Sequence, residues 1–256
     1  MILHKPNLLL GYGRLGQKVV AFDKQSTWIT VRKHKINPVA TITAPIENLS
    51  LIDLPSFNAV VYACAPYERS TPSYELCFIH NLKKILTHLR FDKFIFCSSS
   101  VVFEENSGQF VDEASPTSTV NFRQYILLEA EKLVQLYAWK NFSIFRLSGL
   151  YDSMPAPTSL WEQQDNWANR IHLDDAASMI IKAVHLPHSL QDVFCLTDDH
   201  PFVPKDIAHL FKLEQSPLKK IELSSKRILN LKMKSILGSN LLYPTIFRGY
   251  QQYLLS

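Results

Sequence analysis

The sequence predicts an α/β protein with a doubly wound parallel sheet and a small C-terminal region beyond it. Short apolar and β-branched runs alternate with longer stretches of helical periodicity, a pattern that indicates βαβ units and a parallel sheet. Three of the seven glycines fall within six residues, from Gly11 to Gly16, directly after an apolar run. A Rossmann-type sheet carries its phosphate-binding turn in this position, so a Rossmann-type fold is expected.

The predicted elements alternate regularly along the chain. Strands are predicted at residues 7–10, 28–31, 59–63, 94–97, 142–147 and 193–196. Helices are predicted from the glycine turn to Phe22, at about 74–89 and 121–139, and from Asp174 to about Val184. Asp174 and Asp175 are explained as acids at a helix start, where they face the positive end of the helix dipole.

The chain beyond the last predicted strand is expected to be helical and is basic. From Lys205 to Ser256, nine Lys or Arg residues stand against three acids. Such a charge attracts nucleic acid or a phosphorylated substrate, or it simply forms a solvated surface. Nucleic-acid binding is not favoured, because no basic motif interleaved with aromatic residues accompanies the charge.

Composition and the N-terminal residues predict a globular protein and its location in the cell. Hydrophobic residues make up 46% of the 256 residues, enough to bury a sizeable core. The four cysteines form no CxxC pair, so we expect reduced core residues and no metal site. A cytoplasmic location without a membrane span is expected, because the apolar run before Gly11 is too short for a signal peptide and no run of about 18 apolar residues occurs.

The glycine turn is the predicted dinucleotide-binding segment. Its first glycine allows a tight turn from the strand, its second lets the backbone approach a pyrophosphate, and its third allows close helix–strand packing. The helix that follows points its N-terminus at the anion. The predicted binding residues are Gly11, Tyr12, Gly13, Arg14, Leu15 and Gly16. The alternative interpretation is a purely structural turn.

The end of the second predicted strand selects between the two nicotinamide dinucleotides. NAD-binding proteins usually place Asp or Glu there, where the carboxylate accepts a hydrogen bond from the ribose 2′-hydroxyl. This chain has Arg32 and Lys33 instead, and an arginine can pair with the 2′-phosphate of NADP. NADP is therefore the predicted cofactor. NAD is the alternative if Arg32 and Lys33 are ordinary surface bases.

Several segments together resemble the NAD-dependent epimerase/dehydratase family of extended short-chain dehydrogenases/reductases. In order and spacing, the similar segments are Gly11–Gly16, Ser98–Phe103, Arg146–Tyr151 and Asn169–Asp175. Further segments are similar to the atypical YeeZ-like branch of that family: Leu128–Glu131, Ser225–Arg227 and Leu242–Pro244. The resemblance covers nearly the whole chain.

The resemblance implies a sheet with strand order 3-2-1-4-5-6-7 and a division of the chain. Residues 1–152 would form the dinucleotide-binding core, and 153–256 a mixed region in which 169–197 returns to that core. The substrate side would be built mainly from 153–168 and 200–248. Family members often act on nucleotide-activated sugars, which would suit the basic C-terminal region. They also often form homodimers through a helix pair that would here include residues 121–139.

The resemblance also implies further contacts to cofactor and substrate. The residues that would line the cofactor after two of the strands are Ala63, Cys64, Ala65, Leu147, Ser148 and Gly149. Arg170 and His172 would lie on the substrate side. The alternative for His172 is a structural histidine whose hydrogen bonds are satisfied within the fold.

The catalytic pair of the family is missing from this sequence. In the family, a Tyr supplies the proton, a Lys four residues later lowers its pKa, and a Ser or Thr orients the substrate hydroxyl. Alignment on Ala130–Glu131 puts Arg123 at the Tyr position and Leu127 at the Lys position. Arginine stays protonated, so Arg123 is predicted to be an anion clamp. Ser99 matches the Ser/Thr, or else it is a strand-end residue that satisfies backbone groups.

Tyr125 is not predicted to replace the missing tyrosine. Two residues turn a helix by about 200°, so Tyr125 should point away from the face that carries Arg123. Two functions therefore stay open. One is an epimerase/dehydratase-like or oxidoreductase-like enzyme that arranges Arg123 and Ser99 around an anionic or sugar substrate. The other is a non-catalytic dinucleotide-binding sensor or interaction protein.

Overall fold

The computed structural model describes residues 5–32, 40–104, 108–152, 166–205, 225–238 and 240–254. For Arg32, Thr43, Glu47, Ser50, Leu51 and residues 251–254 it describes the backbone alone. None of the helices in these ranges combines the length and the apolar character that a bilayer crossing requires.

A seven-stranded sheet forms the centre of the fold. In chain order, the strands of the described ranges are β1 (Asn7–Leu10), β2 (Trp28–Arg32), β3 (Ala40–Thr43), β4 (Phe57–Tyr62), β5 (Phe91–Ser99), β6 (Phe110–Val111), β7 (Phe142–Leu147), β8 (Gly149–Tyr151), β9 (Arg170–His172), β10 (Asp192–Leu196) and β11 (Arg227–Ile228). The central sheet has the order β3-β2-β1-β4-β5-β7-β10. Counted over its own strands, this is the predicted order 3-2-1-4-5-6-7, so the Rossmann-type topology is confirmed.

The sheet is parallel because its strands are joined through helices. β1 pairs in parallel with β2 and β4, β2 with β3, and β4 with β5. Every residue of β1 is buried, and so are all but one of β4, as expected for strands covered on both faces. Strand β3 has no counterpart in the sequence prediction, because this short edge strand is half threonine and lacks an apolar run.

Helices connect these strands. They are α1 (Arg14–Phe22), α2 (Thr71–Glu75), α3 (Leu82–His88), α4 (Phe122–Tyr137), α5 (Leu173–His185), α6 (Leu231–Leu237) and α7 (Ile246–Leu254). A π turn at Leu76–Asn81 joins α2 to α3, so the helix predicted at 74–89 is one segment with a widened middle. The Tyr62 hydroxyl donates to the Cys77 carbonyl in this turn at 2.6 Å. A side chain that inserts at a helix carbonyl in this way interrupts the regular ladder of backbone hydrogen bonds.

The chain divides into two compact units that are interleaved along the sequence. The first contains residues 1–102, 119–146 and 177–194, and the second contains 103–118, 147–176 and 195–256. The first unit includes β1 to β5 with α1 to α4, and the second includes α6 and α7.

The second unit is built on two small parallel ladders. β6 pairs with β11, and β8 pairs with β9. Its apolar core includes Tyr151, Phe202, Ile246 and Tyr250. Gly249 on α7 allows Tyr151 to pack closely, because a Cβ there would lie 2.6 Å from the Tyr151 hydroxyl oxygen.

Candidate dinucleotide and substrate site

Gly11 ends β1 in a backbone conformation that residues with a side chain rarely adopt. Its φ is +100°, and a Cβ would overlap the Ala63 carbonyl and lie 2.6 Å from the Cys64 nitrogen. The Ala63 N–H donates to the Leu10 carbonyl at 2.7 Å, which joins the ends of β1 and β4. The structure thus brings the glycine turn together with the segment after β4, two of the segments predicted to line the cofactor.

The other two glycines of the turn meet different surroundings. A Cβ at Gly16 would overlap the Gly11 carbonyl and lie 3.0 Å from Leu9 Cδ2, so the packing of α1 on β1 requires this glycine. A Cβ at Gly13 would meet no described atom within 4 Å. Gly13 is the N-cap of α1, and no side chain caps the helix. Space is therefore open beside amide groups that have no partner within the helix.

The remaining residues of the turn differ in their exposure. Leu15 is buried, Tyr12 is partly buried and Arg14 is exposed. The Arg32 side chain and the whole of Lys33 lie outside the described part of the chain. The backbone places Arg32 at the end of β2, beside β1 in the sheet. The predicted choice of NADP therefore stays a prediction.

The pKa of the Cys64 thiol, beside the turn, is raised. Burial is the larger cause, and the nearby Cys77 raises that pKa further. A thiol with a raised pKa holds little thiolate and is a poor nucleophile. All four cysteines are free. Among the described residues, no group of three or more His, Cys, Asp or Glu side chains could hold a metal ion.

Helix α4 begins beside the segment that follows Ser99. The Asn121 side chain accepts from the Arg123 and Gln124 amides, each at 3.1 Å, and Gln124 in turn accepts from the Asn121 amide, which forms a capping box. Gln124 Nε2 donates to the Val101 carbonyl at 3.2 Å. The Ser99 hydroxyl accepts from the Val101 amide at 3.3 Å. The two predicted catalytic residues thus lie on adjoining segments, without a direct hydrogen bond in the described contacts.

The residues of α4 are buried or exposed as the helical spacing of the sequence predicts. Leu127, at the position of the missing lysine, is buried in the core, and Tyr125 is 53% exposed. Arg123 Nε is buried and has no hydrogen-bond partner among the described residues. An arginine nitrogen in this state is suited to receive an acceptor atom.

A buried ion pair fixes α4 on the sheet, and sequence reasoning assigned it no role. Arg146 on β7 donates to both carboxylate oxygens of Glu131, with the shorter Nη2–Oε2 contact at 2.8 Å. The Ser98 hydroxyl on β5 donates to Glu131 Oε1 at 2.6 Å. The signal in the sequence is an acid among the apolar residues of one helix face and a base within an apolar strand. Opposite charges in two buried elements indicate a pair.

In the second unit, the segment after β7 lies against β9. The Ser148 amide donates to the Leu196 carbonyl at 2.9 Å, and the Gly149 amide donates to the Asn169 carbonyl at 3.1 Å. A Cβ at Gly149 would overlap the Arg170 guanidinium, so this glycine leaves room for the arginine. The structure therefore joins Ser148 and Gly149, predicted for the cofactor, to Arg170, predicted for the substrate.

His172 is packed between aromatic rings at the start of α5. Its ring centroid lies 3.8 Å from that of Tyr243 and 5.1 Å from that of Tyr151. Its Nδ1 accepts from the Asp174 amide at 3.2 Å. Asp175 accepts from the amides of Leu242 and Tyr243 at 2.7 and 2.9 Å. His172 and Asp175 thus make contacts that hold the second unit together. The predicted role of His172 in substrate binding stays a prediction.

Asp198 is a buried acid that sequence reasoning did not select. It lies two residues after β10 and is 1% exposed. Burial raises its pKa to about 8, against the opposing effect of a hydrogen bond from the His200 amide. Acids with raised pKa values concentrate at functional sites, although structural groups show them too. The signal in the sequence is an acid two residues after a buried strand, at the edge where parallel α/β sheets bind ligands.

Comparison with solved structures identifies the fold. A protein from Methylobacillus flagellatus that is classed with the NAD-dependent epimerase/dehydratases is 21% identical, with a TM-score of 0.75 over 98% of both chains. A variant of UDP-glucuronic acid 4-epimerase from Bacillus cereus, in complex with UDP-4-deoxy-4-fluoro-glucuronic acid and NAD, is 17% identical, with a TM-score of 0.75 over 95% of this chain and 96% of that chain.

A short-chain dehydrogenase/reductase superfamily protein from Agrobacterium tumefaciens with bound NAD is 17% identical, with a TM-score of 0.76 over 96% of this chain and 95% of that chain. No protein-family model and no curated protein matches the chain by sequence. The structural similarity confirms the predicted resemblance at the level of the fold, while the YeeZ-like branch stays a prediction. Over nearly its whole length, this chain has the fold of the epimerase/dehydratase-type short-chain dehydrogenases/reductases.

Proposed function

We propose that the chain binds a nicotinamide dinucleotide at the turn from Gly11 to Gly16. The observation that carries this proposal is that the three glycines of the turn differ in their surroundings. Packing requires Gly11 and Gly16, but it does not require Gly13, whose absent side chain leaves open space beside the N-terminus of α1. A pyrophosphate would lie in this space and accept hydrogen bonds from the first amides of the helix. Ala63, Cys64 and Ala65 would line the same site.

The proposed cofactor is NADP. The supporting residues are Arg32 and Lys33, which follow β2 where NAD-binding proteins usually have an acid. Arg32 would pair with the 2′-phosphate through charge-assisted hydrogen bonds. NAD is the alternative, and solved structures of the same fold are in complex with NAD.

The proposed activity is that of an epimerase/dehydratase-like or oxidoreductase-like enzyme with an unusual active site. Its substrate would be a nucleotide-activated sugar or another anionic molecule. Arg123 would clamp the anion, supported by its buried Nε that has no partner among the described residues. Ser99 would orient a substrate hydroxyl. Leu147, Ser148 and Gly149 would complete the cofactor site, and Arg170 and His172 would contact the substrate.

The rest of the substrate side would come from residues 153–168 and 200–248, whose basic character would suit a phosphorylated ligand. A solved structure of the same fold contains both a UDP-sugar and NAD, which supports this class of substrate.

The second candidate is a non-catalytic dinucleotide-binding sensor or interaction protein. The observation that favours it is Leu127, which occupies the lysine position of the catalytic pair and is buried in the core. A missing proton relay typically lowers a rate by about 10² to 10⁴. Turnover of NADPH with any sugar nucleotide would exclude the sensor. Binding without turnover would favour it.

A homodimer through α4 is part of the same proposal. Leu136 and Trp139, at and just beyond the end of this helix, are each more than 60% exposed. Exposed apolar side chains are typical of an interaction surface when they form a contiguous patch, so a dimer interface at this end of α4 would bury these two residues. Size-exclusion chromatography with light scattering distinguishes a dimer of the 29.4 kDa chain from a monomer.

The deciding experiment is calorimetric titration with NADPH and NADH, side by side. We expect NADPH to bind with a Kd in the micromolar range. Gly13→Val should abolish binding without loss of folding, because its Cβ would meet no described atom within 4 Å and its methyl groups would enter the space proposed for the pyrophosphate. Circular dichroism and the unfolding midpoint provide the folding control. If wild-type protein binds neither nucleotide, the dinucleotide proposal is wrong.

A further inference from the structure

The parallel ladder of β6 and β11, in the second unit, has one buried face and one outward face. Arg227 is paired with Phe110 in its register, and Ile228 with Val111. Successive side chains of a strand point to opposite faces. Ile228 and Val111 are buried, whereas Phe110 is 54% exposed. Arg227 therefore lies beside Phe110 on the outward face.

The guanidinium group of Arg227 contacts two aromatic rings. Its central carbon lies 3.8 Å from the ring centroid of Phe110 and 5.1 Å from that of Trp167, and both distances are within the range of cation–π attraction. Its Nε donates a hydrogen bond to the Gly108 carbonyl at 2.7 Å. Two rings and one hydrogen bond therefore restrain both the position and the orientation of the guanidinium.

Polar contacts hold the segment of Trp167 against β11. The Asn169 side chain accepts from the Ile228 amide at 2.8 Å and donates to the Lys226 carbonyl at 2.9 Å. The Ser225 hydroxyl donates to the Trp167 carbonyl at 2.6 Å. The Trp167 ring is thus kept beside the guanidinium by contacts that do not involve the arginine side chain.

The two terminal nitrogens of Arg227 have no hydrogen-bond partner among the described residues. The polar contacts of its side chain end with the Nε bond to Gly108 and the two rings. Neither Nη1 nor Nη2 is among the buried polar atoms that lack a partner, so both nitrogens are open to solvent. Arginine uses this edge to bind carboxylate and phosphate groups, because two of their oxygens match the spacing of its N–H groups.

We propose that the terminal edge of Arg227 is a binding site for an oxyanion, the phosphate or carboxylate group of a ligand, on the outward face of the β6–β11 ladder. Phe110 and Trp167 support this site, because they hold the guanidinium in a fixed plane. The site does not depend on the proposed dinucleotide or substrate function. It gives a ligand to the segment Ser225–Arg227, which that function leaves without a role.

Preorganisation distinguishes Arg227 from an ordinary surface arginine. A free arginine side chain loses rotamer entropy when it binds a ligand, whereas Arg227 has lost most of that freedom in the folded protein. Its guanidinium stays charged at physiological pH, and no ion pair in the described part of the chain neutralises it. We therefore expect oxyanions to bind better than chloride, which offers a single acceptor atom to the two N–H groups.

Fluorine NMR of protein labelled with 5-fluorotryptophan tests the site through Trp167. Its signal is assigned by its loss in Trp167→Phe, and the other three of the four tryptophans are internal references. Inorganic phosphate and acetate are titrated separately against sodium chloride at constant ionic strength. We expect the Trp167 signal to shift with half-saturation below about 10 mM, and the anion that saturates identifies the ligand group. If neither anion shifts this signal more than chloride does, the proposal is wrong.

Substitutions separate anion binding from a purely structural stack. Arg227→Gln should abolish the saturable shift, and Arg227→Lys should weaken binding roughly tenfold, the loss expected for one charge-assisted hydrogen bond. Phe110→Leu keeps the arginine but removes one support, so it should also weaken binding and covers the case in which Arg227→Gln does not fold. Arg248→Gln, at an exposed arginine of α7, is the matched control for the loss of one charge. Wild-type binding in Arg227→Gln, or equal loss in Arg248→Gln, would overturn the proposal.

Discussion

Glu131 and Arg146 form a buried ion pair in which the arginine contacts both carboxylate oxygens, at 2.8 Å for the Nη2–Oε2 contact. The pair joins α4 to β7, and the Ser98 hydroxyl extends it to β5. The position of α4, and with it that of Arg123, therefore depends on a polar contact within an apolar layer. Removal of one charge should be costly, because its partner would stay buried.

Glu131→Gln should lower the free energy of unfolding by about 3–5 kcal/mol, the usual loss when one member of a buried pair is removed. Urea unfolding followed by circular dichroism measures the change. Glu129→Gln is the matched control on the exposed face of the same helix, where Glu129 pairs with Lys132, and its midpoint should stay unchanged. Equal midpoints for Glu131→Gln and Glu129→Gln would refute the prediction.

Gly11→Ala should destabilise the fold, whereas Gly13→Ala should not. The added methyl group at Gly11 would overlap the Ala63 carbonyl at a φ of +100°, which costs about 3 kcal/mol in strain and overpacking. At Gly13 the same methyl group would meet no described atom. Thermal unfolding of both variants measures the difference. A stable Gly11→Ala protein would mean that the close approach of β1 and β4 is relaxed in solution.

Arg32→Asp should reverse the preference for NADPH over NADH if Arg32 binds the 2′-phosphate. Binding of NADPH should weaken by tenfold or more, about 1.4 kcal/mol, because the new carboxylate repels the phosphate. Binding of NADH should stay or improve, since a carboxylate can accept from the ribose hydroxyl. Calorimetric titration measures both. Equal loss of the two nucleotides would remove the basis for NADP selectivity.

Arg123→Ala should leave NADPH affinity unchanged and abolish binding of UDP-sugars, if Arg123 clamps the substrate anion. Arg123→Lys keeps the charge but loses the planar fork that matches phosphate oxygens, so we expect intermediate affinity. Titration with UDP-glucose in the presence of saturating NADPH tests the series. If the alanine variant binds UDP-glucose as the wild type does, Arg123 has no part in substrate binding.

Asp198 should make stability fall as the pH rises from about 4 to about 8. Its pKa is raised from 3.8 in the unfolded chain to about 8 in the folded protein. Between these values the folded protein retains a proton that the unfolded chain has released. The free energy of unfolding therefore decreases by up to about 1.4 kcal/mol per pH unit and levels off above pH 8.

Asp198→Asn cannot ionise, so it should lose this contribution to the pH dependence. Its stability relative to wild type should be greater at pH 9 than at pH 4. Unfolding midpoints across this range, with Asp199→Asn as the control, measure the effect. Parallel pH profiles for wild type and Asp198→Asn would mean that water reaches the carboxyl group and keeps its pKa ordinary.

The sequence was sufficient for the elements whose signal is local. The buried runs of β1 and β4 predict strands of a parallel sheet, because parallel strands covered on both faces are continuously apolar. The order of the strands was implied by the family resemblance. The resemblance also implied that Ala63 lies near the glycine turn, because both segments would line the cofactor. Strand β3 could not be predicted, because its pairing with β2 rather than its own residues makes it a strand.

The remaining contacts depend on residues far apart in the chain. His172 could not be assigned from its neighbours, because the ring that packs against it belongs to Tyr243. The surroundings of Asp198 are likewise set by β8 and β9, which carry no signal for each other in the sequence. In the sequence, Glu131 and Arg146 are charged residues among apolar neighbours. Only the packing of α4 on the sheet shows that they form a pair.

The interleaving of the two units has a consequence for synthesis on the ribosome. The outer strand β10 borders β7 in the sheet, but it is made only when the chain reaches residues 192–196. Until then a nascent chain would expose β7 as an open edge, which is prone to pair with other chains. A fragment that stops at residue 152 would retain this edge permanently, so we expect it to aggregate where the full chain folds.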